Sequence, residues 1–198
     1  MLGMVNLVSL LVSSIGFTVF YSLSVRPAHM EITNRKDAYK LAARYRMVCS
    51  LCMGVAFINF VLYRWFPVSF ISVPVNFPWP YWISLVLAIV LGIPAGLLMV
   101  VAIRDAGKET MKPDKEHTLY TGIYDTIRHP QAIAELTVWN VCALVLHSPL
   151  LTLVAALYTP IWNMWCFVEE KDLILRYGQS YREYQKRTGM FIPRRRTR

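Results

Sequence analysis

Residues 136 to 168 run for 33 positions without a lysine, arginine, aspartate or glutamate. A bilayer core is crossed by about 20 apolar residues, so this run is too long for a single span. His147-Ser148-Pro149 lies at its middle. Serine followed by proline starts a helix well, the hydroxyl capping the free backbone N–H groups and the proline taking the first helical position. The pattern therefore predicts a tight helical hairpin over 130–146 and 149–168. Its first arm is short enough to need a thinned bilayer or to stop before the far side.

Three further uncharged runs precede it. Residues 1–25 carry no charge, and without a basic start or a small-residue cleavage site they read as a span rather than a signal peptide. Residues 47–63 form a second run, bracketed by Arg46 and Arg64, whose side chains can snorkel outward. Residues 81–103 form the third. Between these two, Pro67, Pro74, Pro78 and Pro80 break any helix, and Trp65, Trp79, Tyr81 and Trp82 suit a membrane–water interface. Only 17% of the chain is charged, against about 25% in soluble domains. The expected fold is an all-α integral membrane protein of five transmembrane helices. Residues 1–103 would supply three spans, and 104–198 a catalytic region in the same structural unit. Gly92-Ile93-Pro94-Ala95-Gly96 suggests close helix packing with a kink in the third span.

Orientation follows from counting. With both hairpin ends on one face, lysine and arginine fall as six in 26–46, five in 104–128 and nine in 171–198, leaving Arg64 alone opposite. The positive-inside rule then places the N-terminus outside and the C-terminus with both large polar segments in the cytoplasm, the membrane being the cell membrane if the source is a prokaryote. The net charge of +9 is thereby a topology signal, with a basic tail suited to anionic lipid, and nucleic acid is not an expected partner. Cys49, Cys52, Cys142 and Cys166 sit in or beside apolar runs and read as small buried hydrophobes, so no metal site is expected.

Two segments hold the remaining polar chemistry, 104–129 and 169–193, and the hairpin returns the chain so that they adjoin. His129 precedes Pro130 at a helix start, where free N–H groups and the dipole favour a negative group. Glu169 and Glu170 close the last apolar run at a helix C-terminus, where two acids oppose the dipole and call for a cationic partner. Gly178 is placed to end that helix, and Ser180-Tyr181-Arg182-Glu183 reads as a capping box for another. Leu173, Tyr177, Tyr181 and Tyr184 would share one apolar face against the membrane or the loop.

The ordered series Gly122-Ile123-Tyr124, Arg128-His129-Pro130, Glu169-Glu170 with Leu173, Tyr177-Gly178, Tyr181, Tyr184 and Phe191-Ile192-Pro193 resembles the C-terminal signature of the isoprenylcysteine carboxyl methyltransferase family. The resemblance covers about 104–193 and is most like the small five-span prokaryotic or archaeal members. It implies a cytoplasmic pocket for S-adenosyl-L-methionine. It also implies that His117, Thr118, Leu119, Tyr120 and Gly122 lie in the stretch lining the cofactor, with Tyr124, His129 and Pro130 in contact and Lys112 a further candidate at the loop's start. Glu169 or Glu170 would meet the cofactor's ammonium or orient the pocket, and Arg128 would meet a carboxylate of cofactor or acceptor. The implied acceptor is a lipophilic small molecule or prenylated peptide. Ala132, where the family often has tyrosine, Glu135, where a small residue is common, and Asn163-Met164-Trp165-Cys166, where the eukaryotic enzymes place basic residues, all depart from the pattern and bear on the acceptor.

A carboxylate acceptor is already ionised at neutral pH, so catalysis would rest on alignment and water exclusion, with no general base. Two other readings compete. One is a membrane reductase using a nicotinamide cofactor, for which the chain offers no Gly-rich fingerprint. The other is a lipid-binding protein without catalysis, which charged residues buried mid-span would favour.

Overall fold

The computed structural model describes residues 1–33, 35–68, 70, 72–116, 118–119 and 121–194. Among them there is no strand, only a single bridge between Ile127 and Gly189. Eight α-helices follow in order: α1 (Leu2–Ser24), α2 (Pro27–Ile32), α3 (Ala38–Leu62), α4 (Tyr81–Ala106), α5 (Pro130–Val145), α6 (Pro149–Leu157), α7 (Thr159–Tyr177) and α8 (Gln179–Arg187).

Four stretches are long and apolar enough to cross a membrane: Leu2–Ser24, Ala38–Leu62, Tyr81–Thr110 and Pro149–Tyr177. Their outer faces expose Val8, Leu11, Val12 and Ile15 on α1 and Ile89, Val90, Ile93 and Leu97 on α4, a surface made for hydrocarbon. The fifth expected span, α5, has only 16 residues. At about 1.5 Å per residue it covers roughly 24 Å, short of the roughly 30 Å core.

The predicted hairpin forms at the predicted turn. Ser148 Oγ accepts from Leu151 N at 3.3 Å, and His147 turns the chain with φ of 54°. Its second arm differs from the expectation of one continuous helix. α6 ends at Leu157 and α7 begins at Thr159, because Pro160 has no N–H to continue the ladder.

The bundle has two distinct ends. At one, a Cβ on Gly3 would lie 2.6 Å from the Pro67 carbonyl, His147 Nδ1 is 2.8 Å from Ser84 Oγ, and the Tyr81 hydroxyl donates to Val145 O at 3.0 Å. At the other, Arg46 donates to the Glu109 and Thr110 carbonyls, and Asp172 accepts from Ala28 N and His29 N. The described residues of 25–37, 104–129 and 169–194 are thus gathered at the polar end.

The helices form two pairs joined by α7. α1 packs on α3, where Asn6 Nδ2 donates to Asn59 O and Asn59 Nδ2 to Ser9 Oγ, the polar adhesion expected between helices in lipid. α4 packs on α5 along a buried seam of Ser84, Ala88, Ala95 and Ala102, with Gly92 against Val141. A Cβ on Gly96 would meet nothing, so the small-residue pair expected at 92 and 96 contributes through Gly92 alone. α7 joins the two pairs. Trp165 packs 5.1 Å from Phe17 and 4.6 Å from Tyr21 of α1, and Trp139 of α5 packs 5.1 Å from Phe60 of α3, ring to ring.

A cavity closed by two buried ion pairs

The turn before α5 is shaped by Gly122 and Asp105. Gly122 holds φ of 72°, and a Cβ there would collide with the Asp105 carboxylate. That carboxylate accepts from Ile123 N at 2.9 Å, tying the short 3₁₀ turn Gly122–Asp125 to the end of α4. The turn delivers Arg128 and His129 to α7. Arg128 Nε lies 2.6 Å from Glu170 Oε1, and His129 Nε2 lies 3.0 Å from the same oxygen. Gln185 of α8 donates to Glu170 Oε2 at 2.7 Å, while Arg128 also donates to the Gln185 and Thr188 carbonyls. The backbone follows, with Arg128 N bonded to Gly189 O and His129 N to Met190 O.

A second buried pair closes the other side. Arg176 Nη1 meets Glu109 Oε1 at 2.7 Å, each side chain 5% exposed. Glu109 Oε2 accepts from Asp114 N, and its carbonyl accepts from Arg46. Between these two locks lies a cavity of about 280 Å³. α7 faces it with Cys166, Glu169, Leu173 and Tyr177, and α5 with Gln131, Ala132 and Glu135. Both sets follow the three- and four-residue spacing of one helix face. Tyr21 of α1, Arg46, Cys49 and Met53 of α3, and Ile103 and Ala106 of α4 complete the wall. α3 and α4 both line it, and neither packs on the other over any length.

Glu169 and Glu170, adjacent in sequence, do different things. The Glu170 side chain is 8% exposed and spent on Arg128, His129 and Gln185. The Glu169 side chain is 31% exposed, lines the cavity, and lies 3.6 Å from His129 Nδ1. Both stand on α7 beyond Val168, where the apolar run has stopped. Burial alone would raise the Glu170 pKa, but the hydrogen bonds from His129 and Arg128 outweigh it and hold the carboxyl at about 2. Tyr124, Tyr181 and Tyr184 also border the cavity, and burial pushes all three phenols well above their ordinary range. Tyr184 donates to Tyr124 O at 2.6 Å, so these rings are also struts.

Of the residues singled out from sequence, Leu119, Tyr124, Arg128, His129, Pro130 and Glu169 line the cavity. Lys112, Thr118 and Gly122 are exposed and do not, and Glu170 stands behind the wall. His117 and Tyr120 lie outside the described residues. Leu173, Tyr177, Tyr181 and Tyr184 share a face as expected, and that face is the cavity's. The capping box at Ser180 does not form. α8 starts at Gln179, directly after Gly178 at φ of 58°, with no side-chain cap. Tyr21, Arg46, Glu109 and Gln131 were not anticipated as cavity residues: sequence puts Arg46, Glu109 and Gln131 at the polar end, but only folding turns all four onto one cavity.

The family model for phospholipid methyltransferases, PEMT, matches residues 81–180, from the start of α4 to the start of α8. A methanethiol S-methyltransferase from Pseudomonas deceptionensis is 32% identical over 72 residues, which are 36% of this chain. The match spans about a quarter of that relative, 26% of its length. No solved structure matches the chain.

Proposed function

The chain belongs to the phospholipid methyltransferase family, and on that premise we propose that it transfers a methyl group from S-adenosylmethionine to a lipophilic acceptor arriving from the bilayer. The observation that carries this reading is the cavity itself. Most of its lining comes from the matched segment, at the polar end of the bundle, with the start of α5 on one wall and Glu169 on another, while α1 and α3 close it from outside that segment. Its volume, about 280 Å³, sits at the lower edge of small-molecule sites.

The lining suits this cofactor. S-adenosylmethionine supplies an electrophilic methyl group on a sulfonium, together with an ammonium, a carboxylate and an adenine. Glu169 offers the exposed carboxylate for a cationic group, and the α5 N-terminus at Gln131 and Ala132 offers its positive dipole end for an anion. Leu119, Tyr124 and Tyr181 offer apolar and aromatic walls to a flat base. Arg128, expected from the resemblance to meet a carboxylate, instead builds the wall through Glu170. The α3–α4 side gives a lipophilic acceptor a route from the hydrocarbon. Sidedness follows the charge count, with the cavity on the cytoplasmic face. Three acceptor chemistries come with this reading: the isoprenylcysteine-like carboxylate implied by the signature, a phospholipid from the family's name, and a thiol from the relative's name.

The test is calorimetric binding of S-adenosylmethionine and S-adenosylhomocysteine to the detergent-purified protein, beside E169Q. Micromolar binding weakened at least tenfold by E169Q is the expected result. A folded protein that binds neither, or binds a reduced nicotinamide nucleotide in their place, overturns the reading.

A further inference from the structure

Glu135 is an acid facing inward from a helix of apolar residues. It lies one helical turn beyond Gln131 and Ala132 on the same face of α5, about 6 Å deeper into the bundle, and lines the cavity. The groups around it come from three helices: Tyr21 of α1, Arg46 and Cys49 of α3, and Trp162, Cys166 and Glu169 of α7. The one cation among them is engaged elsewhere, Arg46 donating to the Glu109, Thr110 and Ser24 carbonyls. Among the described residues Glu135 forms no ion pair. The Trp162 indole offers Glu135 a hydrogen bond, but no cation balances its charge, so an ionised carboxylate at this depth is costly until something that binds there meets it.

We propose that Glu135 accepts the proton of a protic acceptor, an amine or a thiol, and thereby selects such acceptors over carboxylates. The proposal rests on the methyltransferase reading and narrows its substrate. An anionic acceptor would meet Glu135 and Glu169 together, with Arg46 and Arg128 already committed to other partners. A protic nucleophile answers the same lining, because it carries the proton that a deep carboxylate can take. In the transfer, a lone pair on nitrogen or sulfur bonds to the methyl carbon while the carbon–sulfur bond of the sulfonium breaks and its electron pair leaves on the thioether sulfur. The N–H or S–H proton passes to Glu135 and from there, past Glu169, to water. The sum is a methylated acceptor, a neutral thioether and one released proton.

The experiment uses the full chain in nanodiscs with labelled S-adenosylmethionine and three acceptors of one chain length: decanethiol, decylamine and decanoate. Wild type, E135Q and E135A are compared, with S-adenosylhomocysteine binding measured by calorimetry on each. Wild type should methylate the thiol or the amine at least a hundredfold faster than decanoate. E135Q should lower that kcat by about 10²–10⁴-fold, the range of a general base, flatten the acidic limb of the pH–rate profile, and leave S-adenosylhomocysteine affinity within about threefold. Preference for decanoate, methylation of none of the three by protein that binds S-adenosylhomocysteine, or an E135Q pH profile superimposable on wild type would each overturn the assignment of Glu135 alone. Failure of wild type to bind S-adenosylhomocysteine would instead remove the methyltransferase reading beneath it. If E135A loses binding while E135Q keeps it, the kinetics of E135Q decide.

Discussion

Arg128 Nε and Glu170 Oε1 stand 2.6 Å apart, with side chains 11% and 8% exposed, and this pair fastens the turn before α5 to the end of α7. His129 and Gln185 share the same carboxylate, so three residues from two segments converge on Glu170. Removing one partner of a buried pair strands the other charge. Arg128→Ala and Glu170→Ala are therefore each expected to destabilise the protein by about 3–5 kcal/mol. Denaturant melting in detergent checks this, and a wild-type midpoint for either variant would contradict it. Any loss of cofactor affinity in Glu170→Ala should track the loss of folded protein.

The same carboxylate sets an acid limit. Its folded pKa of about 2 lies below the ordinary 4.5, because His129 and Arg128 favour the ionised form over the opposing effect of burial. A depressed pKa contributes stability that is present above about pH 4.5 and is lost as pH falls through about 2. Melting temperature should thus decline across that window in wild type. In Glu170→Gln the decline should be shallower from a lower starting point. Parallel acid profiles for the two proteins would show that Glu170 is not the titrating group.

Glu169 should behave in the opposite way. It is the more exposed acid, faces the cavity, and has no arginine partner among the described residues. Glu169→Gln is expected to shift stability by no more than about 0.5 kcal/mol, as for a substitution outside a buried network. Its S-adenosylmethionine affinity should nevertheless fall at least tenfold. Calorimetry beside thermal melting separates these effects, and a variant that melts early while binding normally would reverse the roles given to the two acids.

Which features were legible from sequence follows the range of the interactions that make them. The hairpin turn was legible because Ser148 and Pro149 act within one turn of helix. That 104–129 adjoins 169–193 was legible because the hairpin is a local fold-back, whereas the commitment of Arg128 to Glu170 rather than to a bound carboxylate was not. The break at Tyr158 was also written locally, in Pro160, but was masked by the unbroken apolar run around it. The division of labour between Glu169 and Glu170 was readable in principle from the stripe Cys166, Glu169, Leu173 and Tyr177, which a 3.6-residue period aims one way. Arg46 was not readable. It resembles an ordinary snorkelling residue until folding brings Glu109, 63 positions away, to its guanidinium.

Gly122 tests whether the turn before α5 is preorganised by shape. Its φ of 72° suits glycine, and a Cβ would also press on Asp105, the residue that holds Ile123 N. A non-glycine residue held in such a backbone region costs about 1–3 kcal/mol. Gly122→Ala should lose about that much stability and also weaken S-adenosylmethionine binding, because Tyr124 and His129 follow on the same segment and line the cavity. Asp105→Ala alone should cost less, since it removes one hydrogen bond and leaves the backbone unstrained. In the double variant the collision is gone while the backbone strain stays. Its total should therefore fall short of the sum of the two single changes by about 0.5 kcal/mol or more, the signature of residues in contact. Strict additivity in a denaturant-melting cycle would mean that the turn yields without meeting Asp105. The preorganisation of the Arg128-His129 segment would then have to come from Glu170 and α8 alone.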